Sequence, residues 1–252
     1  MKKRLFKSVM FIMVLVFIVA SVVSCTQQSS DTLVMGTNAE FPPFEYIGDD
    51  GQPDGFDVAM VKEIAKRINA ELKIENMEFK SLIGSLASGK IDLIAAGMTV
   101  TEDRKKEVDF TNTYFEANQM IIIPVDGTIK DALDLDGKVV GVQEGTTGDI
   151  IVTEEEEDYT VKEVKRYKKG IDAVMDLVNG RIDAVVIDSN PAKEYVASNE
   201  GKIVAIESGM EAEEYAMAIK KDNSALLKKV NDALDKIKQD GTYEKLVKEY
   251  IQ

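Results

Sequence analysis

A short motif that returns constrains this chain more than any other feature of its sequence. Leu86-Ala87-Ser88-Gly89-Lys90-Ile91-Asp92-Leu93-Ile94 is answered 91 positions later by Leu177-Val178-Asn179-Gly180-Arg181-Ile182-Asp183-Ala184-Val185. Each copy reads as a helix end, a glycine cap and a strand of buried residues. The helices that feed the caps correspond too: Leu82, Ile83 and Leu86 in one copy, Ala173, Val174, Leu177 and Val178 in the other, lie at helical spacing. Thr32-Leu33-Val34-Met35-Gly36 and Lys138-Val139-Val140-Gly141-Val142 each open a strand, loop and helix sequence. The chain therefore reads as two α/β lobes, each an open, largely parallel sheet. Such sheets bind ligands beyond the carboxyl ends of their strands. Gly97 and Asp188 hold equivalent places at two such ends, so if the lobes face each other both border one cleft.

After the second lobe the sequence predicts one short strand, Tyr215-Ala216-Met217-Ala218-Ile219, then a helix with Leu227, Val230, Leu234 and Ile237 on one face. Asp240-Gly241 breaks that helix, and Tyr243, Leu246, Val247 and Tyr250 start another. A helical tail left over in this way suggests a return to the first lobe, giving two chain crossings.

The first residues follow a different plan. Lys2, Lys3, Arg4 and Lys7 precede an apolar run from Val9 to Val23 interrupted only by Ser21, which is a signal peptide rather than a part of the fold. The run is shorter than the ~20 residues a spanning helix needs and leads into Thr26-Gln27-Gln28-Ser29-Ser30-Asp31. Anchoring then falls to Cys25, the only cysteine: Val22-Val23-Ser24-Cys25 resembles the bacterial lipoprotein box, in which the signal is cut before a diacylated Cys. Two acyl chains hold a protein stably where one does so only marginally.

Charge and missing residue types exclude much. Removal of the leader takes the formal net charge from −14 to −18, a surface that repels nucleic acid. The run from Glu154 to Asp158 reads as a solvated face. With no histidine, Ser-His-Asp and Cys-His catalysis and histidine metal sites are absent, and with Cys25 acylated no free thiol is left. No metal or cofactor is expected; carboxylate chemistry stays open.

The candidate site residues stand at the strand ends. Thr101-Glu102-Asp103-Arg104 reads as an N-cap threonine and a first helical turn, where a ligand carboxylate meets a guanidinium, backbone N–H donors and the positive end of the helix. A surface Arg paired with Glu102, Asp103 or Glu107 is the plainer alternative. Asp188 precedes Ser189-Asn190-Pro191, where serine can cap a helix, and is placed to receive an ammonium group or to act as a second cap. Gln143-Glu144-Gly145-Thr146-Thr147-Gly148 joins a strand to a helix and offers hydroxyl and N–H groups without the lysine or spacing of a phosphate loop.

Across the mature chain, Gly36-Thr37-Asn38-Ala39-Glu40-Phe41-Pro42-Pro43-Phe44-Glu45, Gly55-Phe56-Asp57-Val58, Gly97-Met98-Thr99-Val100-Thr101-Glu102-Asp103-Arg104, Val108-Asp109-Phe110-Thr111 and Asp240-Gly241-Thr242-Tyr243 fall in register. In this the chain resembles the polar amino-acid-binding proteins of ABC importers, which have the periplasmic-binding-protein type 2 fold. The resemblance implies a two-lobe flytrap with a first lobe at 31–114 plus 217–252, a second at 119–212, and hinges near 115–118 and 213–216. It implies that Arg104 binds a ligand α-carboxylate with help from the Thr99 hydroxyl and the Gly97 backbone, that Asp188 receives the α-ammonium, and that Thr146 and Thr147 form a second clamp with Gln143 beside the ligand's side chain. Phe41 and Phe79 match the aromatic walls. Asn38 departs from the Asp that many arginine and lysine binders carry there, and its amide donates as well as accepts. The implied ligand is a free L-amino acid, arginine or another cation first and glutamine second. The implied partners are a permease and its ATPase, the setting is a monomer held by lipid outside the cytoplasm, and the alternatives are a cyclohexadienyl-dehydratase-like enzyme on the same fold and a sensory subunit.

Overall fold

The computed structural model describes residues 31–154, 160–210 and 212–252. The leader, Cys25 and positions 155–158 of the acidic run lie outside the described residues. In chain order the elements are β1 (Asp31–Thr37), the hairpin strands β2 (Tyr46–Ile47) and β3 (Pro53–Asp54), α1 (Phe56–Arg67), β4 (Ala70–Asn76), α2 (Leu82–Ala87), β5 (Leu93–Ile94), α3 (Glu102–Glu107), β6 (Val108–Phe110), β7 (Phe115–Ala117) and β8 (Gln119–Pro124). There follow β9 (Val139–Gln143), α4 (Thr147–Thr153), β10 (Glu163–Tyr167), α5 (Gly170–Val178), β11 (Ala184–Asp188), α6 (Ser189–Ala197), β12 (Ile203–Glu207), β13 (Glu213–Tyr215), β14 (Ala218–Lys220), α7 (Ser224–Gln239) and α8 (Thr242–Tyr250).

The two lobes are built on two five-stranded sheets, ordered β4-β1-β5-β14-β6 and β10-β9-β11-β8-β12. The repeated motif occupies equivalent places in both, down to single hydrogen bonds. Gly89 and Gly180 take φ of 76° and 67°, which a residue with a Cβ adopts only at a cost. Their N–H groups donate to Leu86 O and Leu177 O, and the next residues, Lys90 and Arg181, donate to Ser85 O and Asp176 O. This is the Schellman pair that satisfies the last carbonyls of a helix. Beyond each cap an aspartate, Asp92 or Asp183, accepts from the N–H of Val34 or Val139 and so pins the new strand beside the old one.

Neither sheet is largely parallel. β1 runs parallel to β4 and β5, and β9 runs parallel to β10 and β11. The fourth strand of each sheet, β14 or β8, is antiparallel to both its neighbours. The reason lies in how the chain arrives. β8 follows β7 and β14 follows β13, and β7 and β13 pair antiparallel as a two-stranded ribbon, so both enter their sheets from the far side. The strand expected over Tyr215 to Ile219 is accordingly two strands: Tyr215 ends β13, Ala218 begins β14, and between them the Ala216 N–H donates to Met98 O while the Met217 N–H donates to the Thr111 hydroxyl.

Packing follows the apolar periodicity. Leu33 and Met35 of β1 face Phe56, Met60 and Ile64 of α1, all buried, and full burial of such a side chain stabilises by about 1.5–3 kcal/mol. α7 presents Val230, Ala233, Leu234 and Ile237 inward and packs with α8 on α1. Tyr243 of α8 donates to Tyr114 O, tying the C-terminal helices to the start of β7. Among the described residues no helix is long and apolar enough to cross a membrane.

Candidate ligand-binding site

The carboxyl ends of both sheets meet at one narrow cleft. Asn38, Phe41, Phe79, Gly97, Thr99, Arg104, Gln143, Thr146, Thr147 and Asp188 all line it, and so do two residues the sequence did not single out, Glu45 and Ala96.

Arg104 sits in the first turn of α3, where the Thr101 hydroxyl accepts from its N–H and caps the helix as expected. Its guanidinium is buried, not paired with the acids of its own helix, and the alternative of a surface ion pair fails. It donates to Thr99 O at 2.8 Å and, across the cleft, to Gly145 O at 3.0 Å, and lies over the Phe79 ring at 5.5 Å. Both acceptors are neutral carbonyls, so an arginine with five donors keeps capacity for an anion.

Asp188 closes β11 and is buried. It occupies the N-cap position of α6 itself, with Ser189 as the first helical residue, which moves the expected serine cap by one place. Its side chain makes no cap bond and accepts instead from the Tyr215 hydroxyl at 2.6 Å. Burial, and after it the nearby Glu213, raises the pKa of this carboxyl. A buried carboxylate with one neutral donor lacks a compensating cation.

The side-chain end of the cleft is an amide pair. Gln143 Nε2 donates to Asn38 Oδ1 at 2.8 Å and to Lys168 O at 3.3 Å, while Asn38 Nδ2 donates to Met77 O at 2.9 Å. Gln143 Oε1 is buried with no partner, an acceptor left for a donor on a ligand. Gly97 passes under the Phe41 ring with φ of 51°; a Cβ there would stand 2.9 Å from Phe41 Cε1.

The hydroxyls are committed differently from the expectation. Thr99 and Thr147 both donate to one oxygen of Glu213, at 2.7 and 2.9 Å, and Gln119 Nε2 donates to the other at 3.2 Å. Thr146 donates to Gln143 O and caps α4. With their hydrogens so engaged, these hydroxyls face the cleft as acceptors. Glu213 escaped sequence reading because it lies among other acids; its place two residues before Tyr215 on a strand of alternating exposure was the available signal. Glu45 carried none beyond the motif that contains it.

Around the mouth, Lys80 pairs with Glu144, Lys168 with Glu78 and Lys169 with Glu40, at 2.5–2.7 Å, and Tyr195 donates to Glu40 O. Each joins one lobe to the other.

Comparison with known proteins agrees with this geometry. The profile of the bacterial extracellular solute-binding proteins, family 3, matches residues 33–252. The chain is 37% identical over 230 residues to the arginine-binding extracellular protein ArtP of Bacillus subtilis (strain 168), covering 90% of this chain and 89% of that one. An ancestral arginine-binding protein bound to arginine superposes with a TM-score of 0.85 at 41% identity, covering 89% of this chain and 100% of that one. An ancestral arginine-binding protein bound to glutamine superposes with a TM-score of 0.82 at 40% identity, covering 87% and 97%.

Proposed function

The chain belongs to the bacterial extracellular solute-binding proteins, family 3, and from that premise we propose that it is the receptor of an ABC importer, closing on a free arginine. The observation that carries the reading is the pair of buried ionisable groups on opposite walls of one cleft, Arg104 and Asp188, neither of which is in a salt bridge among the described residues. They match the carboxylate and ammonium that every free amino acid carries. Phe41 and Phe79 enclose the aliphatic stem, and Gln143 Oε1 accepts from the guanidinium. Glutamine is the second ligand, favoured by the Asn38 and Gln143 amides, which can serve a side-chain amide as donor and acceptor alike.

In this reading the first lobe comprises 31–114 and 217–252, the second 119–212, and the hinge is the β7/β13 ribbon with the residues beside it. The ribbon is narrow and two-stranded, while ion pairs such as Lys80–Glu144 and Lys168–Glu78 cross between the lobes as side-chain contacts that can part. Cys25 carries the lipid that holds the protein at the outer face of the cell membrane, and the closed form docks on a permease served by an ATPase.

A thermal-shift screen of the twenty amino acids tests the ligand. Arginine at a hundred times its Kd should stabilise the protein by ~2.7 kcal/mol, with glutamine next. A screen in which neither moves the melting temperature sinks the proposal.

A further inference from the structure

Glu45 is fully buried, lines the cleft, and has no hydrogen-bond partner on either carboxyl oxygen. Within hydrogen-bonding reach of it is Asp57 of α1, equally buried. Asp57 Oδ2 accepts from the Gly97 N–H at 2.8 Å and from the Tyr114 hydroxyl at 2.7 Å, but Asp57 Oδ1 has no partner. Three unpartnered carboxyl oxygens of two adjacent, fully buried acids thus lie together, where an unsatisfied polar atom is costly and two adjacent negative charges far more so.

One proton resolves the arrangement. Held on Glu45 and donated to Asp57 Oδ1, it turns two facing acceptors into a hydrogen bond and removes one of the two charges. It belongs on Glu45, because two donors already stabilise Asp57 as an anion and none stabilises Glu45. The other titratable groups around Glu45 agree. Asp188 at the end of β11 is a second acid, Tyr195 of α6 and Tyr114 bring only hydroxyls, and Arg104 is turned to the Thr99 and Gly145 carbonyls.

We propose that Glu45 is a positioning residue for ligand binding: as a neutral acid it bonds Asp57, holds the Gly97 turn through it, and leaves Asp188 the single carboxylate free for the ligand's ammonium group. The proposal rests on the receptor reading above for the identity of that ammonium. Burial, followed by Asp57 and Asp188, holds the Glu45 carboxyl well above the usual range, while Asp57 is pushed up only to about 6. A second full charge at Glu45 would instead bind the ammonium directly, so the two possibilities differ in what a neutral isostere does.

The test has two arms. In the ligand-free protein near pH 7, infrared spectroscopy should show, beside any band from Asp188, the C=O stretch of a second buried carboxylic acid that Glu45→Gln abolishes, Asp57→Asn shifts and Asp188→Asn leaves in place. In calorimetry with arginine, Glu45→Gln, which can still donate to Asp57, should bind at least tenfold more tightly than Glu45→Ala, which leaves Asp57 Oδ1 orphaned. A wild-type spectrum without that band, a band that Glu45→Gln leaves unchanged, or Glu45→Gln binding no better than Glu45→Ala overturns the proposal. The infrared arm needs neither ligand nor Glu45→Ala, so it decides even if arginine fails to bind or the alanine variant fails to fold. Failure of arginine to bind wild type would count against the receptor reading instead.

Discussion

At the scale of single residues the cleft is an arrangement of incomplete hydrogen-bond shells. The Arg104 guanidinium donates to the Thr99 and Gly145 carbonyls and Asp188 accepts from the Tyr215 phenol, neutral partners that leave each to be completed by a ligand of opposite charge. Removing one partner of a buried ion pair costs ~3–5 kcal/mol, a loss of roughly a hundred- to several-thousand-fold at about 1.4 kcal/mol per decade. Arg104→Ala should therefore lose arginine binding by that factor in calorimetry, and binding within a few-fold of wild type would remove Arg104 from the site. Asp188 carries a pH consequence. Its pKa is raised in the empty cleft, whereas an arriving ammonium favours the ionised form, so binding expels a proton and affinity climbs with pH from the usual carboxylate range up through the raised value. Calorimetry in two buffers of different ionisation enthalpy measures that proton, and identical heats would refute its release. Asn38→Asp should turn the preference toward arginine over glutamine, as a carboxylate beside Gln143 favours a cation. It should also lower stability, because the new oxygen faces Met77 O where an amide now donates.

Among the elements, local signals were legible and remote ones were not. The caps at Gly89 and Gly180 could be read because helix end, glycine and strand are consecutive, and the structure repeats even their hydrogen bonds. Nothing meets a Cβ at either glycine, so only backbone conformation is at stake. Gly89→Ala and Gly180→Ala should each cost about 1–2 kcal/mol, and by nearly equal amounts, in denaturant titrations. Unequal losses would mean that the two motifs are not energetically equivalent. The antiparallel entry of β8 and β14 was not legible, since it depends on a ribbon formed by segments a hundred residues apart in sequence, Phe115 opposite Tyr215. The site divides along the same line. Arg104 and Asp188 stand at the ends of recognisable elements, while Glu213 becomes distinctive only when β13 turns it toward hydroxyls from both lobes. Glu45 becomes distinctive only when α1 brings Asp57 beside it.

For the whole molecule, the ion pairs Lys80–Glu144, Lys168–Glu78 and Lys169–Glu40 and the Arg104–Gly145 hydrogen bond join the lobes at or around the cleft, contacts that can part when it opens. Small-angle scattering should show a smaller radius of gyration when arginine is added, and identical profiles at saturation would argue against closure on the ligand. Cys25→Ala should leave an uncut or soluble precursor; processing and membrane fractionation like those of wild type would refute the anchor. The place of β14 has a consequence for how such a chain is made. It stands between β5 and β6, so the first sheet has a gap in its interior until Lys220 has been synthesised. A nascent chain thus emerges with that lobe unable to finish folding for most of translation, so the lobe begun first is the last to close its sheet.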